Sequence, residues 1–367
     1  MNRALVALPP AAATLLYAIA RNSDLDGDLP RNYDRQAFDS HFFRRPFTVL
    51  GRGITTISTV APLFGIIVNH VKKDVLSSQP RDEESTGEPK VTKQSAQQFK
   101  QSLVDLGPAW VKFGQNLSIR PDLVPQIMID ELVTLCDAVP KFDDEDAMRV
   151  LRNSLSCPVE ECFEDIEFVA SASIGQVYKA THKVGKNKSI KNGRTKVAIK
   201  IQRPDIRDSI ALDIFVLDKL SLLLDTYFSY TSKQRPFHRE FMNSFIEGMW
   251  KELDYENEAK NQNFFRDEFR RRNMLDKVVV VPEVFDSVSS REVLVTEWIE
   301  GKKISEVQNS RVVQDVIPVG VTVFCTMLLD IGKFHADPHW GNLIIDNDNR
   351  LCLIDFGLCA DVGVEER

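Results

Sequence analysis

The sequence predicts an α+β fold of two lobes with a helical extension ahead of them, on three observations. Apolar residues recur at helical spacing from Ser95 to about Leu155, the period shortens to that of strands between Phe168 and Ile201, and ordered polar motifs gather in a strand-rich stretch around residue 355. At 367 residues, with 43% hydrophobic and 27% charged side chains, the chain is long enough for a real core and has ordinary globular composition. Wholesale disorder, collagen-like repeats and a disulfide-rich scaffold are excluded. The formal net charge is −7 and no long basic block occurs, which argues against a nucleic-acid partner held through its phosphates. Cys136, Cys157, Cys162, Cys325, Cys352 and Cys359 include no CxxC pair, so neither a zinc site nor a disulfide framework is expected, and reduced thiols are the simpler reading.

Residues 1–94 read as a targeting and membrane-proximal region ending in a linker. The opening stretch sets Arg3 and Arg21 around an Ala/Leu-rich run with no acid before Asp24, as in an organelle presequence, while Pro9 and Pro10 break any helix there. Ile54–Val71 carries no formal charge, yet its Thr, Ser, Asn, His and central Pro62 favour a packed or interfacial helix over a membrane span. Gln79–Lys93, rich in Pro, Gly, Ser and charge, is a flexible connector. Residues 95–155 form a helical subdomain broken at Gly107-Pro108, Pro121 and Pro140, with Phe99, Leu103, Leu106, Leu132, Leu135, Met148 and Leu151 on its apolar faces.

Residues 156–300 follow as a strand-bearing lobe with inserted helices. Phe168–Ala180 and Lys196–Ile201 are rich in β-branched residues and joined by a polar Lys/Asn/Gly loop, which predicts two antiparallel strands. Helices are expected over Ile206–Tyr227 and from Phe237 without interruption to about Arg271, then strands at Val278–Val281 and Val293–Glu297. Residues 301–367 make a partial second lobe, in which a helix over Val312–Ile331 leads to a short strand pair, LIIDNDNRLCLIDFG, around an Asn/Asp turn.

Chemistry concentrates near the C-terminus. His335, Asp337 and Asn342 in HADPHWGN precede Asp355, Phe356 and Gly357 in LIDFG. Phosphoryl transfer from a nucleotide needs a carboxylate beside the acceptor hydroxyl and oxygen ligands that hold Mg2+ across the phosphates, and kinases place HxD, Asn and DFG at this spacing. Asp337 is therefore the candidate base, with Asn342 and Asp355 the candidate metal ligands. Lys200, in VAIK on an expected strand, is suited to bring an ammonium to the α- and β-phosphates. The turn before it, Ala170-Ser171-Ala172-Ser173-Ile174-Gly175, stands where a glycine-rich phosphate loop is expected; its Cβ atoms restrict φ, which predicts altered nucleotide preference or slow turnover. One of Glu252, Asp254 and Glu258 should pair with Lys200, the last two sharing a helix face. VLVTEWIEG runs from strand into hinge, where the carbonyl of Glu297 and the amide of Ile299 suit adenine.

These motifs together resemble the UbiB family of atypical protein-kinase-like proteins, the ADCK group in animals, from roughly Ser95 to the end. Lys112-Phe113-Gly114-Gln115 is similar to the family's KxGQ motif, ASASIGQV to its Ala-rich nucleotide loop, and Glu252-Leu253-Asp254 to its ExD motif. The resemblance implies a two-lobed protein-kinase-like fold with the KxGQ helices over the active site. ATP or ADP and Mg2+ would be the cofactors, with weak ATPase or autophosphorylation activity and poor transfer to proteins. It further implies support of isoprenoid quinone and lipid metabolism at organelle membranes, with pathway enzymes as partners and peripheral membrane contact. By the same resemblance Lys200 and Glu258 form the phosphate-positioning pair, and Lys112, Gln115, Glu252 and Asp254 an inhibitory cover.

LCDAVPKF, HADPHWGN and LIDFGL are most similar to the plastid and cyanobacterial branch, which favours a plastid over a mitochondrion. Two departures stand out: Trp340 takes a place where the family commonly has Pro, and the chain ends ten positions after Gly357, ahead of the activation segment and most C-lobe helices. The reading drawn is an atypical kinase or ATPase regulating prenylquinone or lipid metabolism. A nucleotide-binding scaffold without turnover is the alternative, and a conventional protein kinase is disfavoured by the KxGQ extension and the Ala/Ser loop.

Overall fold

Residues 29–59, 92–121, 124–137, 140–183, 194–231, 238–307, 310–338 and 340–363 are described by the computed structural model. The presequence-like stretch, most of Ile54–Val71 and nearly all of the connector lie outside them. Two units separate: one takes the described residues up to Pro140 with Ser171–Ile174 and Asp205–Trp250, the other Lys141–Ala170, Gly175–Pro204 and the chain from Lys251.

The first unit is helical. Asp34 starts the Arg35–Phe43 helix by accepting the Ala37 amide, and Thr92 starts Lys93–Leu106 through a reciprocal capping box with Ser95. Pro108–Ser118 and Gln126–Leu132 follow, and Leu103, Trp110, Leu117, Met128, Leu132 and Leu135 fill the space between these helices. Ile206–Thr231 runs 26 residues and is buried on nearly every side between Ile210 and Asp218. Its Phe215 ring lies 5.0 Å from Phe42, and Phe38 meets Trp250 edge-on at 5.0 Å, so the segment ahead of the connector packs into this unit. Arg52 reaches into the same core and pairs with Asp213, Nη2 to Oδ2 at 2.8 Å, while also donating to the Leu106 carbonyl.

The second unit carries ten strands among the described residues. In chain order they are β1 (Phe163–Ser171), β2 (Gly175–Lys183), β3 (Arg194–Gln202), β4 (Val279–Val280), β5 (Val293–Glu297), β6 (Gly301–Lys303), β7 (Lys333–His335), β8 (Leu343–Asp346), β9 (Leu351–Leu353) and β10 (Cys359–Asp361). They form a sheet β1-β2-β3-β5, a sheet β4-β9-β8-β6 and a pair β10-β7. Antiparallel pairing sets Lys200 opposite Val177 on one side and Leu294 on the other. One core lies against the first sheet, where Ala147 and Leu151 of helix Asp144–Ser154 cover Val197, Ile199, Ile201, Val293 and Val295. A second core joins Phe265 and Phe269 of helix Tyr255–Arg271, Val316 and Val323 of helix Ser310–Cys325, and Leu351, Leu353 and Phe356.

Three expectations need correction. Phe168–Ala180 is not one strand: the small residues Ala172–Ile174 turn the chain, so three strands rather than two build this part of the sheet. The span Phe237–Arg271 is two helices, His238–Glu252 and Tyr255–Arg271, because Asp254 leaves helical geometry (φ −119°, ψ 92°) and its carboxylate caps the second by accepting the amides of Glu256 and Asn257. Asp254 and Glu258 therefore share no helix face as assumed. Finally, Cys157 and Cys162 are joined by a disulfide; the short helix Val159–Cys162 brings them together at a spacing that a search for CxxC pairs passes over.

Candidate active site

Strand alternation decides where Lys200 points. With Val197, Ile199 and Ile201 fully buried on the core face of β3, the lysine occupies the opposite face. There its Nζ donates to both Glu258 oxygens at 3.0 and 2.9 Å and to Asp355 Oδ2 at 3.2 Å. Glu258 stands in the first turn of the Tyr255–Arg271 helix, whose start Asp254 fixes. Of the three candidate acids, then, Glu258 pairs with the lysine, Asp254 is a helix cap, and Glu252 ends the preceding helix.

The cluster is electrostatically lopsided, with one ammonium facing several carboxylates. Burial alone would lower Lys200, but Asp355 and Glu258 outweigh it and hold the ammonium well above its usual range. Glu258 is pushed up to about 7 by burial, against the opposing pull of Lys200 and with Asp355 adding to the rise. Glu258 is 3% exposed whereas the Asp355 side chain is 41% exposed, so the lysine links a buried acid to one that a ligand can reach. Tyr255 closes the buried side: its ring centroid lies 4.9 Å from Lys200 Nζ and its hydroxyl is buried without a hydrogen-bond partner.

The second group of site residues is stitched by backbone bonds. His335 is 2% exposed; its Nε2 lies 3.3 Å from the Ile354 carbonyl and its Nδ1 accepts the Asp337 amide at 3.2 Å. That pattern fits a neutral ring protonated on Nε2. Asn342 Nδ2 donates to the Asp337 carbonyl at 3.0 Å, and the Asn342 carbonyl accepts the Ile354 amide at 3.1 Å. Asp337, Asn342 and Asp355 are thereby tied to one scaffold, and Asn342 keeps its side-chain oxygen for another partner. Asp355 adopts a left-handed φ of 63°, with its Oδ1 accepting the Gly357 amide at 3.3 Å.

The other expected positions fall as follows. Ala170 and Ser171 end β1, Ala172 and Ser173 lie in the turn, and the Ser171 hydroxyl is buried without a hydrogen-bond partner. Gly175 opens β2 where a Cβ would come within 2.4 Å of the Ile201 carbonyl oxygen and 2.9 Å of the Tyr255 hydroxyl, so no side chain fits. Glu297 ends β5 opposite Val197, and Trp298 donates its amide to Lys196 as the chain enters the segment holding Ile299. Lys112 and Gln115 lie on the Pro108–Ser118 helix of the other unit; between them Gly114 lets that helix approach its neighbours, since a Cβ there would lie 2.5 Å from Leu135 Cδ1 and 2.6 Å from Leu103 Cδ1.

Several supporting residues escaped the sequence reading. Gln176, fully buried, accepts the Phe142 amide and donates to the Tyr178 hydroxyl, each at 2.7 Å, and Tyr178 in turn donates to Asp144 at 2.7 Å. This chain pins the start of β2 just past the turn. Asn261, on the face of Glu258 three residues further along, donates to the Phe356 carbonyl at 3.0 Å. The spacing Tyr255, Glu258, Asn261 was the available signal.

The residues suit a nucleotide with Mg2+. No cluster of three or more His, Cys, Asp or Glu fit to hold a metal occurs among the described residues, and the oxygen side chains that the sequence puts forward are Asn342 and Asp355. Mg2+ typically takes only one or two protein ligands and fills the rest with phosphate oxygens and water, so a sparse oxygen pair beside a buried ammonium matches it better than it matches zinc.

Comparison with known proteins bears on the whole chain. An ABC1 atypical kinase-like domain matches residues 134–367. An aarF domain-containing protein kinase, chloroplastic, of Arabidopsis thaliana is 34% identical over 355 residues, 96% of this chain and 46% of its own length. A protein of Synechocystis is 32% identical over 338 residues, 89% of this chain and 54% of its own length. ACTIVITY OF BC1 COMPLEX KINASE 3, chloroplastic, also of Arabidopsis, is 34% identical over 282 residues, 75% of this chain and 37% of its own length. The chain thus spans about half the length, or less, of these curated relatives. With a domain match over most of its length and relatives at this degree of identity, the chain belongs to the ABC1 atypical kinase-like family and has its kinase-like α+β fold, as the UbiB resemblance implied.

Proposed function

We propose that the protein is an ATP-binding, Mg2+-dependent atypical kinase or ATPase that supports prenylquinone or isoprenoid lipid metabolism in a plastid. The observation that carries the reading is the contact of Lys200 with both Glu258 and Asp355, which sets a buried ammonium beside an accessible carboxylate. Lys200 would orient the α- and β-phosphates, Asn342 and Asp355 would hold Mg2+, and Asp337 would take the proton from the attacking hydroxyl or water. When bound, the metal supplies charge neutralisation along the phosphates. The Glu297 carbonyl and Ile299 amide would hold adenine, and Ala170–Ser173 would line the phosphates. Cβ atoms in that turn restrict it where glycine would bend freely, which supports slow turnover.

Plastid residence is supported by relatives named chloroplastic and by a cyanobacterial one. Peripheral membrane contact is supported by Phe47, Leu50 and Ile57, which leave 50–83% of their surface exposed on one face of a single helix. The quinone pathway rests on the family resemblance alone.

Phosphate release from ATP tests the reading. Wild-type chain is expected to release phosphate slowly and only with Mg2+, and Asp337→Asn to lose roughly 100-fold or more of that rate while still binding nucleotide, the usual scale for a positioned general base. Nucleotide binding with no release above background in the wild type would instead make the chain a scaffold.

A further inference from the structure

We infer that Asn261 is a positioning residue for Asp355, coupling the helix that carries Glu258 to the proposed metal ligand; this rests on the reading of Asp355 as that ligand. A left-handed φ is uncommon for a residue with a Cβ and persists where the surroundings fix it, and Asp355 has φ 63°.

The residues on either side show what does the fixing. Before Asp355, the amide of Ile354 donates to Asn342 and its carbonyl meets His335 Nε2 at 3.3 Å. After it, the carbonyl of Phe356 accepts from Asn261 Nδ2 at 3.0 Å, and Asn261 is itself only 6% exposed. The Phe356 ring is fully buried, 5.4 Å from Phe265 on the same helix and 5.3 Å from His335. Asp355 therefore sits between two anchored peptides with its own side chain left partly exposed. One helix face provides Glu258 for the lysine and Asn261 for the residue after Asp355, so the two parts of the site are held in register by 258 and 261. A side chain that donates to the metal ligand's neighbour, without touching the metal, belongs to the outer contacts that orient a ligand; their loss typically weakens metal binding 10–100-fold.

The test is an Mg2+ titration of ADP binding, followed by thermal shift in the full 367-residue chain, comparing wild type with Asn261→Leu and Asn261→Gln. Asn261→Leu keeps the volume and removes the donor. Its Mg2+ midpoint is expected to rise about 10-fold, while ADP binding without Mg2+ stays within about 2-fold of wild type; Asn261→Gln, which retains an amide, should recover part of the midpoint. An unchanged Mg2+ midpoint, or an equal loss of Mg2+-free binding, overturns the inference, because a merely structural asparagine would weaken both together. Should Asn261→Leu fail to fold, Asn261→Ser takes its place in the same comparison. If wild type itself shows no Mg2+ dependence, the reading of Asp355 falls first and this inference with it, a result distinct from a flat mutant beside a responsive wild type.

Discussion

Lys200→Met is expected to cost about 3–5 kcal/mol of stability at pH 8 and much less near pH 5.5, the magnitude typical of a buried ion pair that loses one partner. The cause is what the substitution leaves behind: Glu258, 3% exposed, with no ammonium, and Asp355 close by. The pH dependence follows from Glu258, which burial raises to about 7 from an ordinary 4.5 even while Lys200 pulls it down. An acid whose folded value is raised contributes stability that is full below its unfolded value and is lost as pH rises through the folded one, here between about 4.5 and 7. Removing the lysine removes the opposing pull and drives Glu258 higher still. At pH 5.5 its carboxyl is neutral and tolerated in the core, whereas at pH 8 folding must hold it charged without a partner or keep a proton on it. Urea melts of both proteins at the two pH values measure this. An equal cost at both would contradict the account of the cluster.

Arg52→Met is the second large effect, again about 3–5 kcal/mol and larger as pH rises. Arg52 and Asp213 have side chains 6% and 1% exposed, and the arginine also serves the Leu106 carbonyl, so the single change strands two buried acceptors. Burial already raises the Asp213 carboxyl despite its arginine. Replacing both members, as Arg52→Met with Asp213→Leu, should recover most of the loss, since an apolar pair of similar volume removes the uncompensated charge. Chemical denaturation of the two variants decides it; a double variant no more stable than the single one would show that the cost lies in packing.

The site was legible where chemistry has fixed spacing and illegible where it depends on fold. Asp337, Asn342 and Asp355 could be named from residue order, and Lys200 from its VAIK motif on an expected strand, because both are properties of short stretches. The choice among Glu252, Asp254 and Glu258 was left open by the residues themselves, which were taken as one continuous helix, and only the family resemblance pointed to Glu258, the acid that meets Lys200. Asp254 reads equally as a helix residue and as a helix cap, and the cap won by satisfying two amides. Asn261 stands in a polar run, EAKNQN, and only its spacing three residues past Glu258 separates it from a surface amide. The Arg52–Asp213 pair joins residues 161 apart, and no pattern in either segment announces it. Gly175 was read as part of the small-residue turn that stands in the place of a phosphate loop; what its missing side chain allows is a close approach to the Ile201 carbonyl, across the sheet and beyond any local pattern.

The most direct test of the central claim is Mg2+-dependent ADP and ATP binding by thermal shift, wild type against Asp355→Asn. At about 100 times Kd, ligand linkage contributes ~2.7 kcal/mol, enough to raise the melting midpoint by several degrees. The account predicts that rise in the wild type and its loss in Asp355→Asn, where a neutral amide replaces the carboxylate that meets Lys200 and is the proposed metal ligand. No Mg2+-dependent shift in well-folded wild type would contradict it.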